Sequence, residues 1–140
     1  MWGWSLSENL ADLPLKDLAR MYLELMKKVR KNIRILEDVE RFSTNGKHRY
    51  KFDFIIEDPV SGDIIGVQVK DWRRTLGVNA VFQFWRKVQE AGLTMGILIG
   101  TEFSDQARNR PMENIFLISK GELISYLRSV NMGEIKEISL

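Results

Sequence analysis

The sequence predicts an α/β protein in which a mixed β-sheet is flanked by helices, on three observations. Residues 51–72, "KFDFIIEDPVSGDIIGVQVKDW", read as two strands and a turn. "MGILIGT" (95–101) and "IFLIS" (115–119) are continuous apolar runs of strand length, the pattern of strands buried on both faces. Apolar residues also recur at helical spacing over 15–31 and 77–91, which places helices between strands and therefore on the faces of one sheet.

In chain order, the first helix (15–31) carries Leu15, Leu18, Ala19, Tyr22, Leu25, Met26 and Val29 on one stripe, with Pro14 where a first turn tolerates it. A short strand is expected over 33–39, and "STNGKH" supplies turn residues before the hairpin. Pro59 and Gly62 resist continuing a strand, so a loop over 59–62 sets Asp58 against Asp63. Asp53 then lies opposite Gln68, and Lys51 opposite Lys70. One face of the hairpin collects Phe52, Phe54, Ile56, Ile65, Val67 and Val69 and is expected to be the core. The other collects Lys51, Asp53, Ile55, Glu57, Ile64, Gly66, Gln68 and Lys70.

Gly77 opens the second helix, whose core stripe reads Val78, Val81, Phe82, Trp85 and Val88, and Gly92 stops it. Ser104 is placed to cap a short helix over "DQARN". Ser119 and Glu122 have capping-box spacing and start a last helix bearing Leu123, Leu127 and Val130. The order is α-β-β-β-α-β-(α)-β-α, with the two continuous apolar strands expected at the sheet's centre. Residues 1–140 read as one domain, of which 1–14 form an N-terminal extension.

Composition narrows the chemistry. A hydrophobic fraction of 44% and a charged fraction of 29% describe a globular chain. No apolar run approaches the ~20 residues that span a bilayer, and "MWGWSLSENL" lacks the basic start and apolar stretch of a signal peptide, so the expected compartment is the cytoplasm. The absence of cysteine excludes disulfides and thiolate metal sites, and a single histidine, His48, excludes a multi-histidine cage. The net charge of +2 selects no partner, although "KKVRK", "KHRYK" and "KDWRR" form basic islands that read as solvated faces when each is taken alone.

The polar face of the hairpin carries the sharpest chemical signal. Ile55 and Ile64 on that face suggest partial cover, and Gly66 marks a close approach by a ligand or another backbone. A carboxylate (Asp53), an amide oxygen (Gln68) and the main-chain carbonyl of Val69 are oxygen ligands that suit a hard cation such as Mg²⁺ or Mn²⁺. Such a metal polarises a phosphodiester and acidifies bound water, while Lys70 orients or deprotonates that water or stabilises developing negative charge. The competing account is a polar outer face with an exposed Asp53–Lys70 ion pair.

Asp53, Gln68 and Lys70, spaced Asp-x14-Gln-x-Lys across two strands, resemble the motif of the PD-(D/E)xK nuclease superfamily, which includes restriction endonucleases and archaeal Holliday-junction resolvases. The Gln-x-Lys form is similar to the Mrr-type branch. "GVQVKDWRRTLGVNAVFQF", "MGILIGTEFSDQAR" and "IFLISKGELISYL" extend the likeness over most of residues 33–130. The resemblance implies a restriction-endonuclease-like α-β-β-β-α-β core, Mg²⁺ or Mn²⁺ dependence and hydrolysis of DNA, double-stranded or branched, by a homodimer. It makes Asp53 the metal-binding aspartate, Gln68 the second motif residue and Lys70 the catalytic lysine. Many relatives carry a further acid on the first helix, where Asp17 is the nearest candidate. The family's Pro-Asp is Phe52-Asp53 here.

Around the motif, Arg73, Arg74 and Lys51 are candidates to grip a phosphate backbone, with a solvated loop as the alternative. Lys47 and Arg49 carry less weight, and His48 has no Ser-Asp partner pattern. Trp2 and Trp4 read as docking residues, Trp72 and Trp85 as core. Gly96 and Gly100 lack the Gly-Lys-Ser/Thr of a phosphate loop and are assigned to packing. Two other functions fit the same residues: a nucleic-acid-binding or assembly module on a decayed nuclease fold, and an RNA-directed nuclease.

Overall fold

The computed structural model of the chain describes residues 9–131, so Trp2 and Trp4 lie outside the described residues. A 3-10 turn (Leu10–Asp12) leads into α1 (Leu15–Val29), β1 (Arg34–Phe42), β2 (Arg49–Glu57), β3 (Ile64–Lys70), α2 (Val78–Glu90), β4 (Met95–Gly100), α3 (Asp105–Asn109), β5 (Ile115–Ser119) and α4 (Lys120–Asn131). This is the order predicted from the sequence. Part of the expected extension is core, because Leu10 is buried with α1 and α4.

The five strands lie in the order β1-β2-β3-β4-β5. β1, β2 and β3 pair antiparallel, and β3, β4 and β5 pair parallel. Parallel neighbours need a crossover, and α2 and α3 supply the two crossovers here. α1 and α4 cover one face of the sheet, packing Leu18, Leu25, Leu123 and Leu127 onto Phe54, Ile56, Val67, Ile97 and Ile99. α2 and α3 cover the other, packing Val81, Phe84, Val88 and Ala107 onto Ile55, Leu98 and Ile115. Of the two apolar runs, β4 is interior but β5 is an edge strand. Its Phe116 is 55% exposed, while Ile118 and Leu117 face the two cores.

The hairpin register is the predicted one between Phe54–Val67 and Glu57–Ile64, but the expected Asp53–Gln68 and Lys51–Lys70 pairs do not form because the strands part beyond Phe54. The Asp58 N–H donates to the Asp63 carbonyl (3.0 Å), and Gly62 closes the turn at φ +82°. The face assignment needs one correction. Phe52 does not share a core with Phe54 and Ile56 but packs with Ile55 beneath α2. β2 bends between Phe52 and Phe54, and β1 bends beside it. Asp38, the β1 residue abreast of Asp53, has φ +54°, and the Cα pairing skips from Glu37–Phe54 to Val39–Phe52. Strand alternation holds on each side of the bend and resets across it.

Gly66 also differs from expectation. Phe52 and Leu93 side chains press on it, so that an added Cβ would lie 2.6 Å from Leu93 Cδ1 and 2.8 Å from Phe52 Cε1. Side-chain packing takes the space that a ligand or another backbone was expected to approach.

Local signals explain the helix ends. Ser104 Oγ accepts the Ala107 N–H (3.1 Å). Ser119 and Glu122 form a reciprocal capping box, with bonds of 2.8 and 3.2 Å. α1 has no cap from its own neighbourhood. Its Leu15 N–H donates to Asp71 Oδ2 (3.1 Å), from the loop just beyond β3.

Candidate functional site

β2 and β3 pair only as far as Phe54–Val67, and then separate. At the fork, the Asp53 carboxylate stands in for the missing backbone partner: Oδ2 accepts the Val69 N–H (2.6 Å) and the Gln68 Nε2–H (2.8 Å). A strand residue points its N–H and C=O to the same side, so the Val69 carbonyl also faces the gap beside Asp53. Lys70 is the last residue of β3, at the carboxyl end of the parallel strands, where α/β sheets open their crevices. The structure therefore brings Asp53, Gln68, Val69 and Lys70 to one fork in the sheet.

Lys16, on the first turn of α1, abuts the fork from one side. Its ammonium hydrogen-bonds Asp38 and lies 3.6 Å from Asp53 Oδ1 and 3.9 Å from Glu37. The bond to Asp38 raises the Lys16 pKa, and the same bond lowers that of Asp38. Asp17 turns elsewhere: Arg20 binds it at 2.7 Å and Glu37 at 2.6 Å. The head group from α1 that reaches Asp53 is thus the cation of Lys16, next in sequence to the expected acid.

On the other side a cleft of about 340 Å³ is lined by Tyr50, Gln68, Lys70, Trp72, Gln83, Arg86, Lys87 and Glu90, among others. Lys87, from α2, is its innermost cation. The ammonium donates to Gln68 Oε1 and to the Lys51 carbonyl and sits 4.5 Å from the centre of the Phe52 ring. Burial, and then the neighbouring Lys70 ammonium, push its pKa down to about 8 against a smaller opposing pull from Asp53. Glu90 is held by the Tyr50 hydroxyl and by Arg86 at 3.2 Å. Three cationic side chains therefore line the cleft against one neutralised carboxylate.

Trp72 forms the outer wall. It is 38% exposed rather than core, with Lys70 Nζ 5.0 Å and the Arg74 guanidinium 4.7 Å from the ring centre. Arg73 and Arg74 are exposed on the same loop; Lys51 is exposed too, but its charge acts on Asp38 and only its backbone carbonyl meets Lys87.

Lys87 and Trp72 escaped the sequence reading for one traceable reason each. The buried stripe of α2 is Val81, Phe84 and Val88, whereas Phe82 is 43% exposed and stacks on Trp85 at 5.7 Å. Phasing the helix on the larger aromatics rotated it, and the true phase aims Ala80, Gln83 and Lys87 into the cleft. Trp72 follows the last residue of β3, where strand alternation no longer says which way a side chain points.

The donor set decides which cations the fork suits. Among the described residues no group of three or more His, Asp or Glu side chains is placed to hold a metal. One carboxylate, one amide oxygen and one main-chain carbonyl still suit Mg²⁺, which keeps several waters and completes its shell with substrate phosphate. Gln68 Oε1 now faces Lys87, so its use as a ligand requires the amide to turn.

The Mrr catalytic-domain profile, described as restriction endonuclease, matches residues 15–127. No curated protein matches the chain. A solved structure of a protein of unknown function, AF1548, superposes with a TM-score of 0.61 at 12% identity, covering 81% of this chain and 66% of the other. A repair endonuclease from Pyrococcus abyssi gives 0.48 at 20% identity over 81% and 47%. The DNA modification-dependent restriction endonuclease AspBHI gives 0.45 at 15% identity over 88% and 38%. The chain thus spans two thirds or less of the length of these solved chains.

Proposed function

The chain belongs to the Mrr-type restriction endonuclease family, and from that premise we propose that it is a divalent-metal-dependent endonuclease that hydrolyses DNA phosphodiester bonds at the β2–β3 fork. The observation that supports this most is the joint bonding of Asp53 to Gln68 and to the Val69 amide, with Lys70 next in line at the mouth of a basic cleft.

Asp53 Oδ1, the Val69 carbonyl and, once turned, Gln68 Oε1 would hold Mg²⁺ or Mn²⁺. When bound, the ion supplies Lewis acidity toward the phosphate and water of lowered pKa. The protein's own groups do the rest. The Val69 N–H fixes the orientation of the Asp53 carboxylate through Oδ2. Lys70 meets the non-bridging oxygens as negative charge develops and orients the attacking water. Lys87, held in place by the Lys51 carbonyl, adds a second cation to the same phosphate. Lys51, Arg73 and Arg74 bind flanking phosphates and set register without reading sequence. Two-strand cutting calls for two copies of the site, which a homodimer would supply.

Purified protein with Mg²⁺ or Mn²⁺ is expected to nick or cut plasmid DNA, and Asp53→Ala and Lys70→Ala each to abolish the cutting. Equal activity in the wild type and both variants would place the chemistry elsewhere.

One observation favours a second reading, a DNA-binding module without cleavage. Lys16 faces the free oxygen of Asp53, and among the described residues no group of three or more acidic or imidazole side chains is placed to hold a metal. Calorimetric titration separates the two: Mn²⁺ binding that is weak alone, strengthened by DNA and dependent on Asp53 belongs to the nuclease, and its absence to the module.

A further inference from the structure

Trp72 separates two hollows. On one side lies the cleft of about 340 Å³ with Lys70, Gln83, Arg86 and Lys87. On the other lies a hollow of about 450 Å³ with Arg74, Asn79 and Gln106. Each side of the partition carries cationic or hydrogen-bonding side chains, and the partition is a partly exposed indole standing beside the last residue of β3. A cleft of that size lies at the small end of the about 300–1,000 Å³ typical of small-ligand sites, room for about one nucleotide. Aromatic faces with adjacent cations are how proteins hold nucleotides that have left the base stack: the ring takes the base and the cations take the phosphates.

We propose that Trp72 is a stacking platform for a single unpaired nucleotide next to the phosphate held at Lys70, so that the substrate is DNA with a locally single-stranded segment, such as a fork or flap. The inference rests on the nuclease reading above and adds the substrate class to it. Lys70 and Arg74, which lie over the indole in the free protein, trade the ring for phosphate when the base arrives. Gln83 offers an amide to the base edge. Glu90 is taken up by Tyr50 and Arg86 and leaves the cleft cationic. A duplex without unpaired bases has no free base face to lay on the indole and gains only the phosphate contacts of the arginines.

The test is equilibrium binding in EDTA, by fluorescence anisotropy, to a labelled blunt duplex and to a fork of the same sequence with one unpaired arm. The wild type is expected to prefer the fork. Trp72→Ala should lower the fork-to-duplex affinity ratio about tenfold or more, the loss of one base stack. Trp72→Phe, which keeps a ring, should retain most of the preference, and Phe116→Ala, an exposed aromatic on β5, all of it. A wild type that binds both DNAs equally, or a ratio that survives Trp72→Ala, overturns the inference. Because binding is read without metal, its outcome is independent of cleavage: loss of the nuclease reading would appear as uncut DNA with the binding ratio intact.

Discussion

Replacing Lys87 by methionine is expected to stabilise the fold while damaging its chemistry. The ammonium lies over the Phe52 ring, half out of water and close to the Lys70 ammonium, and its pKa falls from 10.5 to about 8. At about 1.36 kcal/mol per pH unit, holding that charge would cost roughly 3 kcal/mol. Solvent in the open cleft screens much of this, leaving about 1–2 kcal/mol. Methionine keeps the stem packed on Phe52 and removes the charge, and water in the cleft can serve the Lys51 and Gln68 oxygens. A melting temperature higher by about 3–6 °C at pH 7 should follow.

The pH dependence gives the stricter check. Between pH 8 and 10.5 the unfolded chain keeps the Lys87 proton while the folded chain has lost it, so wild-type stability gains as pH rises through that window. Below about pH 8 both states are charged and the penalty is fully present. The gap between Lys87→Met and wild type should therefore be widest at pH 7 and narrow steadily toward pH 9.5, as read by thermal unfolding at matched ionic strength. Cleavage should meanwhile fall at least about tenfold in kcat for want of the second phosphate cation. A variant less stable than wild type at pH 7, or a gap that does not change with pH, would refute the account of Lys87 as a strained, functional charge.

Gly66→Ala is expected to destabilise the protein by about 1–3 kcal/mol in a urea melt, because the new methyl overlaps Phe52 and Leu93, both buried side chains with little room to yield. An unchanged midpoint would mean that the two side chains retreat freely. Arg73→Ala and Arg74→Ala should weaken DNA binding and each reduce the slope of log affinity against log salt by about 1, as measured by anisotropy from low to moderate salt. A slope that stays put would remove that arginine from the phosphate contacts.

Much of the architecture could be read from the chain because its signals agree locally. Pro59 and Gly62 confine the turn, strict alternation in β3 leaves one register that buries apolar groups, and Ser104 and Ser119 mark helix starts that the structure keeps. What failed was non-local. The bend at Asp38 and Asp53 involves two strands at once, so no period within β2 could reveal that Phe52 changes sides. The phase of α2 depends on which aromatic meets the sheet, and Phe84, not Phe82 or Trp85, fits against Gly96, where an added Cβ would lie 2.7 Å from the Phe84 ring. Register carried to Phe54–Val67 brings Asp53 near Gln68, which is what the sequence allowed; the fork beyond it, where the carboxylate takes the place of the backbone ladder, was not legible. Lys16 and Lys87 come from helices whose approach to the fork is set by tertiary packing, and their part in it was not legible either.

The bond from the Leu15 amide to Asp71 has a mechanical consequence. Asp71 lies between Lys70 and Trp72, and Leu15 immediately precedes Lys16, the cation that guards Asp53. One tether thus joins the loop that carries Trp72, Arg73 and Arg74 to the cation that closes off Asp53. Any force that draws the loop aside must either stretch that tether or pull the first turn of α1 with it, so on the proposed nuclease reading a strand that engages the loop would also loosen Lys16 from Asp53.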